Sequence, residues 1–285
     1  VVAAIDEQMA ELAAKGIRIP PQPEVLVRLR QLLERDDYDV RGVAAVIATD
    51  PGMAALLFRT AASPAFARGK RLETLEQVVA VVGAKPTFNL VQALALIGSM
   101  SGRSREAFEV FWTRSQDIAR LAALIAADRI SVCNIFPDQA YMAGLFHGCG
   151  VPVLMQRFPD YARVFDMGRG YDWPDIAEED ARFNVDHCAI GYLVARHWRL
   201  PDFVCNALRY AHVLPDEEVG TTRTLVAIIL LATNHFQRIS TAADPHWPAQ
   251  RKGVLDELGI AGDGEQEYFE EISEQFHGNG RGVRT

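Results

Sequence analysis

The sequence predicts an all-α protein, which a polar break at residues 98–104 divides into two helical lobes. Three observations predict it. Apolar residues recur at three- and four-residue spacing along most of the chain, caps and first-turn prolines punctuate those stripes, and alternating runs of strand type are almost absent. With 285 residues and 49% hydrophobic content the chain has ample material for a large buried core.

Residues 23–34 put Val25, Leu26, Leu29, Leu32 and Leu33 on one face, with Pro23 at the start, where a missing N–H costs nothing. Asp39 can cap a helix carrying Val40, Val43, Ala44 and Ile47, and Asp50-Pro51 repeats the device ahead of Met53, Leu56 and Leu57. Thr74 and Gln77 fit a capping box before the stripe of Leu75, Val78, Val79 and Val82, and Gly83 supplies a left-handed stop. After Pro86 another apolar face begins with Phe88, Val91, Leu94 and Ala95. The polar stretch 98–104 breaks the pattern and is the expected lobe boundary.

Beyond it a long helix runs from about Arg105 through Phe111, Trp112, Ile118 and Leu121, and another runs from near Asp138 to His147-Gly148. Further helices fit 185–198, 201–211 and 224–236, with irregular chain around Trp173 and from His212 to Thr224. Leu255, Gly259 and Ile260 have the form of a glycine stop, Asp263 opens a last amphipathic helix, and Gly278 to Thr285 reads as a frayed tail.

Composition narrows the function. Net charge is −8 and the arginines are dispersed, so no basic footprint for nucleic acid exists. The most apolar runs, Leu90–Ile97 and Leu225–Ala232, fall far short of a membrane span of roughly 20 residues. No secretory signal opens the chain, and Cys133, Cys149, Cys188 and Cys205 form no CxxC pair, so a reducing cytoplasm is the expected compartment. The start at Val1, without methionine, suggests a piece of something longer.

Four segments in order resemble the HD-related output domain (HDOD) family: Ile19-Pro20-Pro21-Gln22-Pro23, Ile47 to Met53, Ala61-Ala62-Ser63-Pro64-Ala65-Phe66, and Thr74 to Gly83. They match its proline-rich entry, "DP" helix start, "NSA.F" turn and "sl..Ai..lG" helix, departing at Ala62 and Val79. Trp112 to Ser115, Ala143 to Gly150, Asp186-His187 with Gly191, and Trp198 to Pro201 extend the resemblance over residues 15–240. It implies an N-terminal helical lobe at about 15–100 packed on an HD-like lobe at about 105–240, followed by a C-terminal helical extension and tail at 241–285.

In catalytic HD-domain phosphohydrolases, histidines and aspartates from several helices hold a metal that activates water. Carried onto this chain, the first histidine falls on Arg114, which cannot ligate. The "HD" pair falls on His147 and Gly148, a later ligand on His187, the paired histidines on Ala211 and His212, and the closing aspartate near Thr233. The resemblance therefore implies no metal, no cofactor and no catalytic residue, with His147, His187 and His212 as residual candidates. His147 then caps a helix end, His187 makes a polar contact and His212 faces water. Arg114 either pairs with a carboxylate or binds an anion in the former phosphate pocket. The run Glu178-Glu179-Asp180 reads as solvated surface, and Cys149 as packing.

Three functions follow. The first is a non-enzymatic module of bacterial signal transduction that acts through a protein partner, without nucleic acid or membrane insertion. The alternatives are a phosphohydrolase with a rebuilt site, or a small-anion or nucleotide sensor using the relic pocket. For the protein contact, Phe66 is the candidate anchor with Arg68 and Arg71 as a basic flank, against the alternative that Phe66 staples its turn to the core.

Overall fold

The computed structural model describes residues 12, 14–67, 70–99, 105–167, 173–216, 219–240 and 244–278. All of the regular structure among them is helical. In chain order the helices are α1 (Glu24–Leu33), α2 (Val40–Ala48), α3 (Pro51–Ala61), α4 (Pro64–Ala67), α5 (Leu75–Val82) and α6 (Ala84–Ser99). They continue as α7 (Arg105–Asp128), α8 (Ile130–Cys133), α9 (Pro137–Phe146), α10 (Gly150–Arg157), α11 (Tyr161–Val164) and α12 (Ile176–Phe183). The chain closes with α13 (His187–His197), α14 (Asp202–Arg209), α15 (Thr221–Ile239), α16 (Trp247–Glu257) and α17 (Glu265–Gly278).

The expected caps form. Asp39 accepts from the Gly42 amide at 2.7 Å and Asp50 from Met53 at 2.9 Å, each meeting one of the free donors of a first turn. Thr74 caps Gln77 at 3.1 Å, but the Gln77 side chain returns to the Glu73 amide rather than to Thr74 itself. Gly83 ends α5 at φ 99°, and α6 starts immediately at Ala84, two residues before Pro86. Gly259, at φ 63°, lets the Ile260 amide return to the Leu255 carbonyl at 2.9 Å.

In the N-terminal part α6 packs on α1, α3 and α5; in the C-terminal part α7, α9 and α15 form the centre. Small residues bring α7 and α9 close together: a Cβ at Gly144 would lie 2.9 Å from the Ala119 Cα. The two parts meet where α6 lies on α9, joined by Asn89 to Asp138 at 2.8 Å and by Gln92 to the Trp198 carbonyl at 2.8 Å. Most of the boundary expected at 98–104 lies outside the described residues.

The C-terminal extension is part of the core. Tyr268, Ile272 and Phe276 of α17 are buried, and Arg120 of α7 lies over the Phe276 ring at 4.4 Å. The expected frayed tail beyond Gly278 lies outside the described residues. Among the described residues no single helix is long and apolar enough to cross a membrane, and α5 and α6, which have the length together, are bent by 115°.

Two candidate contact residues can be placed. Phe66 is 6% exposed and packs edge-on against Tyr141, ring centroids 5.9 Å apart. Of the two readings of Phe66 the burial favours the second: α4 turns the ring inward, and it staples the turn to the core. Arg71 is solvent-exposed beside Glu73, 3.4 Å away. Arg68 lies outside the described residues.

Candidate functional site

The positions singled out by the HD pattern converge between α7, the end of α9, the start of α13 and the turn after α14, with Thr233 on α15 beyond His212. Glycine sets the packing here, since a Cβ at Gly150 would lie 2.8 Å from the His187 Cα. The first turn of α10 is thereby laid against the first turn of α13, which Asp186 caps through Ala189 at 2.8 Å.

The space among these residues is filled by Trp173, which sequence reasoning treated only as part of an irregular loop. The guanidinium of Arg114, a buried residue, lies 3.8 Å from the indole centroid. His147 meets the indole edge-on at 4.6 Å, Phe111 at 5.7 Å, and His187 and His212 each lie 6.3 Å away. A Cβ at Gly148 would stand 2.6 Å from Trp173 Cη2 and closer still to Cζ3. A side chain at 148 would require the Trp173 indole to shift.

His147 bonds the Gly144 carbonyl through Nδ1, the helix-end role expected of it, while its buried Nε2 has no hydrogen-bond partner among the described residues. Burial pushes its pKa down to about 3, with the Arg114 charge acting in the same direction, so the ring is neutral. Arg114 lies on an aromatic face, the relation neither of its expected roles foresaw.

Glu179 is the larger correction. Expected on a solvated face, it is fully buried and accepts from the His187 Nδ1 at 2.6 Å and the His187 amide at 3.0 Å, while Tyr161 donates its hydroxyl to the other oxygen. The site thus holds a carboxylate that orients His187, supplied from outside the HD pattern. Helix α12 has one inward face, and Glu179 is its buried residue while Glu178 pairs outward with Arg182.

His212, expected to face water, is half-buried with its Nε2 2.7 Å from the His187 Nε2. Burial opposes charge on His187, but Cys188 and Glu179 outweigh it and push the pKa up to about 10. Burial first, and then the charge on His187, hold His212 well below the ordinary histidine range. Together these give a chain of Tyr161, Glu179, charged His187 and neutral His212.

Beyond His212 lies a cavity of about 300 Å3 whose lining includes Trp173, Asp175, Thr233, Asp244, His246 and Trp247. Among the described residues, no arginine or lysine contributes to that lining. All four cysteines are free and buried.

The divalent metal of HD-type phosphohydrolases does not fit these residues: Arg114 replaces a ligand, Trp173 would have to shift to admit a carboxylate at 148, and Thr233 offers only a hydroxyl.

Comparison with known proteins agrees with the all-helical fold. The chain is 23% identical over 212 residues to an uncharacterized protein of Treponema pallidum (strain Nichols), covering 72% of this chain and 40% of that one, so it spans well under half the length of that relative. The fold matches an HDOD domain protein of unknown function from Geobacter sulfurreducens with a TM-score of 0.67 at 21% identity, over 96% of this chain and 97% of that one. It matches a candidate metal-dependent phosphohydrolase from Shewanella amazonensis SB2B with a TM-score of 0.69 at 17% identity, over 96% and 98% of the two chains. A candidate signal transduction protein from Marinobacter aquaeolei VT8 gives a TM-score of 0.63 at 22% identity, over 97% of this chain and 64% of that one. The HDOD domain pattern itself matches residues 19–214, more than half of the sequence, and the chain belongs to the HDOD domain family.

Proposed function

We propose that this chain is a non-enzymatic output module of a bacterial signalling system, acting through contact with another protein. One observation carries the reading: the Trp173 indole, held by Arg114, fills the space where a phosphohydrolase would hold metal and phosphate. Without a metal-activated water, hydrolysis of a phosphate ester has no nucleophile there. The HDOD match and a fold neighbour that is a candidate signal transduction protein are in keeping with this role. The anion-sensor alternative has less support, because the Arg114 guanidinium faces an aromatic ring and the adjoining cavity carries carboxylates.

With Phe66 in the core, the contact surface proposed on the N-terminal lobe rests on exposed groups such as Arg71. Affinity capture from an extract of the source bacterium tests this. The parent should retain a defined protein that Arg71→Glu weakens without changing thermal unfolding; a parent that reproducibly retains nothing would refute the contact.

A further inference from the structure

Beside the filled centre, two imidazole nitrogens face each other. The Nε2 atoms of His187 and His212 are 2.7 Å apart, and two ring nitrogens that close require a hydrogen or a metal between them. Cys188 follows His187 in the first turn of α13 and is 4% exposed. One donor atom from each of His187, Cys188 and His212 lies within 4.8 Å of the other two. The surroundings are those of a supported ligand set. Glu179 receives the His187 Nδ1–H at 2.6 Å, the arrangement by which carboxylates fix the tautomer and orientation of metal-bound histidines, and Tyr161 anchors Glu179 in turn.

We propose that His187, Cys188 and His212 form a site for a late first-row divalent cation of the zinc class, held without hydrolytic chemistry. The proposal rests on the reading of the phosphohydrolase centre as lost; His187 and His212 stand at two of that centre's ligand positions, and Cys188 is a donor the HD pattern lacks. A thiolate with two imidazoles selects zinc or cobalt over magnesium and manganese, which prefer carboxylate and water oxygens. His147 is outside the cluster, with Nδ1 committed to the Gly144 carbonyl.

The donors must adjust to hold an ion: they lie within 4.8 Å of one another, whereas a tetrahedral zinc keeps a thiolate sulfur about 3.6 Å from each imidazole nitrogen. Zinc bonds nitrogen at about 2.0–2.1 Å, so a tetrahedral ion needs the two Nε2 atoms about 3.3 Å apart. His212 can supply that movement, because it sits in the turn after α14 rather than inside a helix. The cavity of about 300 Å3 that reaches His212 gives the ion a way in. On binding, the Cys188 thiol proton and the proton shared by the imidazoles pass to solvent, two metal–nitrogen bonds and one metal–sulfur bond form, and no group changes oxidation state.

The test uses the whole chain, stripped with chelator under reducing conditions and titrated with Co(II) and Zn(II), with Mg(II) and Mn(II) in parallel. The expected result is one Co(II) per chain with a thiolate-to-cobalt charge-transfer band, displaced by Zn(II) and absent with Mg(II) or Mn(II). Cys188→Ser should remove the band, His212→Gln should abolish tight binding, and Glu179→Gln should weaken binding by about 10–100-fold. Circular dichroism checks folding, and His212→Gln, at a half-buried turn, carries the test if a helix variant unfolds. No band in the parent, or a band that survives both Cys188→Ser and His212→Gln, would overturn the site. Failure here leaves the non-enzymatic reading standing, whereas a bound metal that supports phosphodiester turnover would overturn that reading and spare the site.

Discussion

A side chain at Gly148 would collide with Trp173, its Cβ lying 2.6 Å from the indole Cη2. The missing carboxylate and the inserted indole are therefore one structural feature. Glycine at 148 is what lets the indole come this close, and on the proposed reading the indole stands where that carboxylate would have served.

Gly148→Asp should lower stability by about 1–3 kcal/mol, the cost of overpacking a filled interior. Adding Trp173→Ala should recover most of the loss by vacating the space. Denaturant unfolding of the three variants measures this, and a Gly148→Asp protein as stable as the parent would show that the indole is not fixed there.

The contact of Arg114 with Trp173 should be worth about 0.5–2 kcal/mol, since the cation is removed from water and lies over an indole face. Arg114→Met, Trp173→Ala and the double variant form a cycle that isolates this energy from the other contacts of each residue. Fully additive losses would refute the coupling.

Phe66→Ala should destabilise the fold by about 3 kcal/mol, through a buried cavity and the lost edge contact with Tyr141. Arg71→Ala, at a side chain 89% exposed, should leave stability within about 0.5 kcal/mol of the parent. Thermal unfolding separates the two, and a Phe66→Ala protein of undiminished stability would return that ring to the contact surface.

His235 should produce an acid limb in the stability curve. It is fully buried among Tyr268 and Phe269, and neither ring nitrogen has a hydrogen-bond partner among the described residues. Burial, reinforced by the Arg238 charge, pushes its pKa down to about 3. The unfolded chain binds this proton near pH 6.5 and the folded chain only near 3, so the contribution is intact above 6.5 and declines as pH falls towards 3, by about 1.4 kcal/mol per unit. His235→Phe should flatten that limb and leave stability above pH 7 equal or higher, because an unpaired buried polar group is removed. A limb of unchanged slope in the variant would contradict this.

How much of this was legible in the sequence follows from where each signal resides. Asp39, Asp50 and Thr74 act within one helical turn, so their caps and the N-terminal helices could be read from spacing alone. The family resemblance brought Arg114, His147, Gly148, His187 and His212 to one place. Glu179 was missed because, in a run of three acids, only tertiary packing decides which one faces inward. Trp173 was missed for a related reason: it sits outside any helix, so no periodicity signalled its burial.

The proposal that the HD-type centre no longer supports hydrolysis is tested by turnover with the purified full chain. Cyclic dinucleotides and simple phosphate esters should be incubated with the protein and excess Mn(II) or Mg(II), alongside His147→Ala. No release above the protein-free control is expected, because Arg114, Gly148 and Thr233 offer no metal ligand and Trp173 fills the space. Metal-dependent release that disappears in His147→Ala would contradict it.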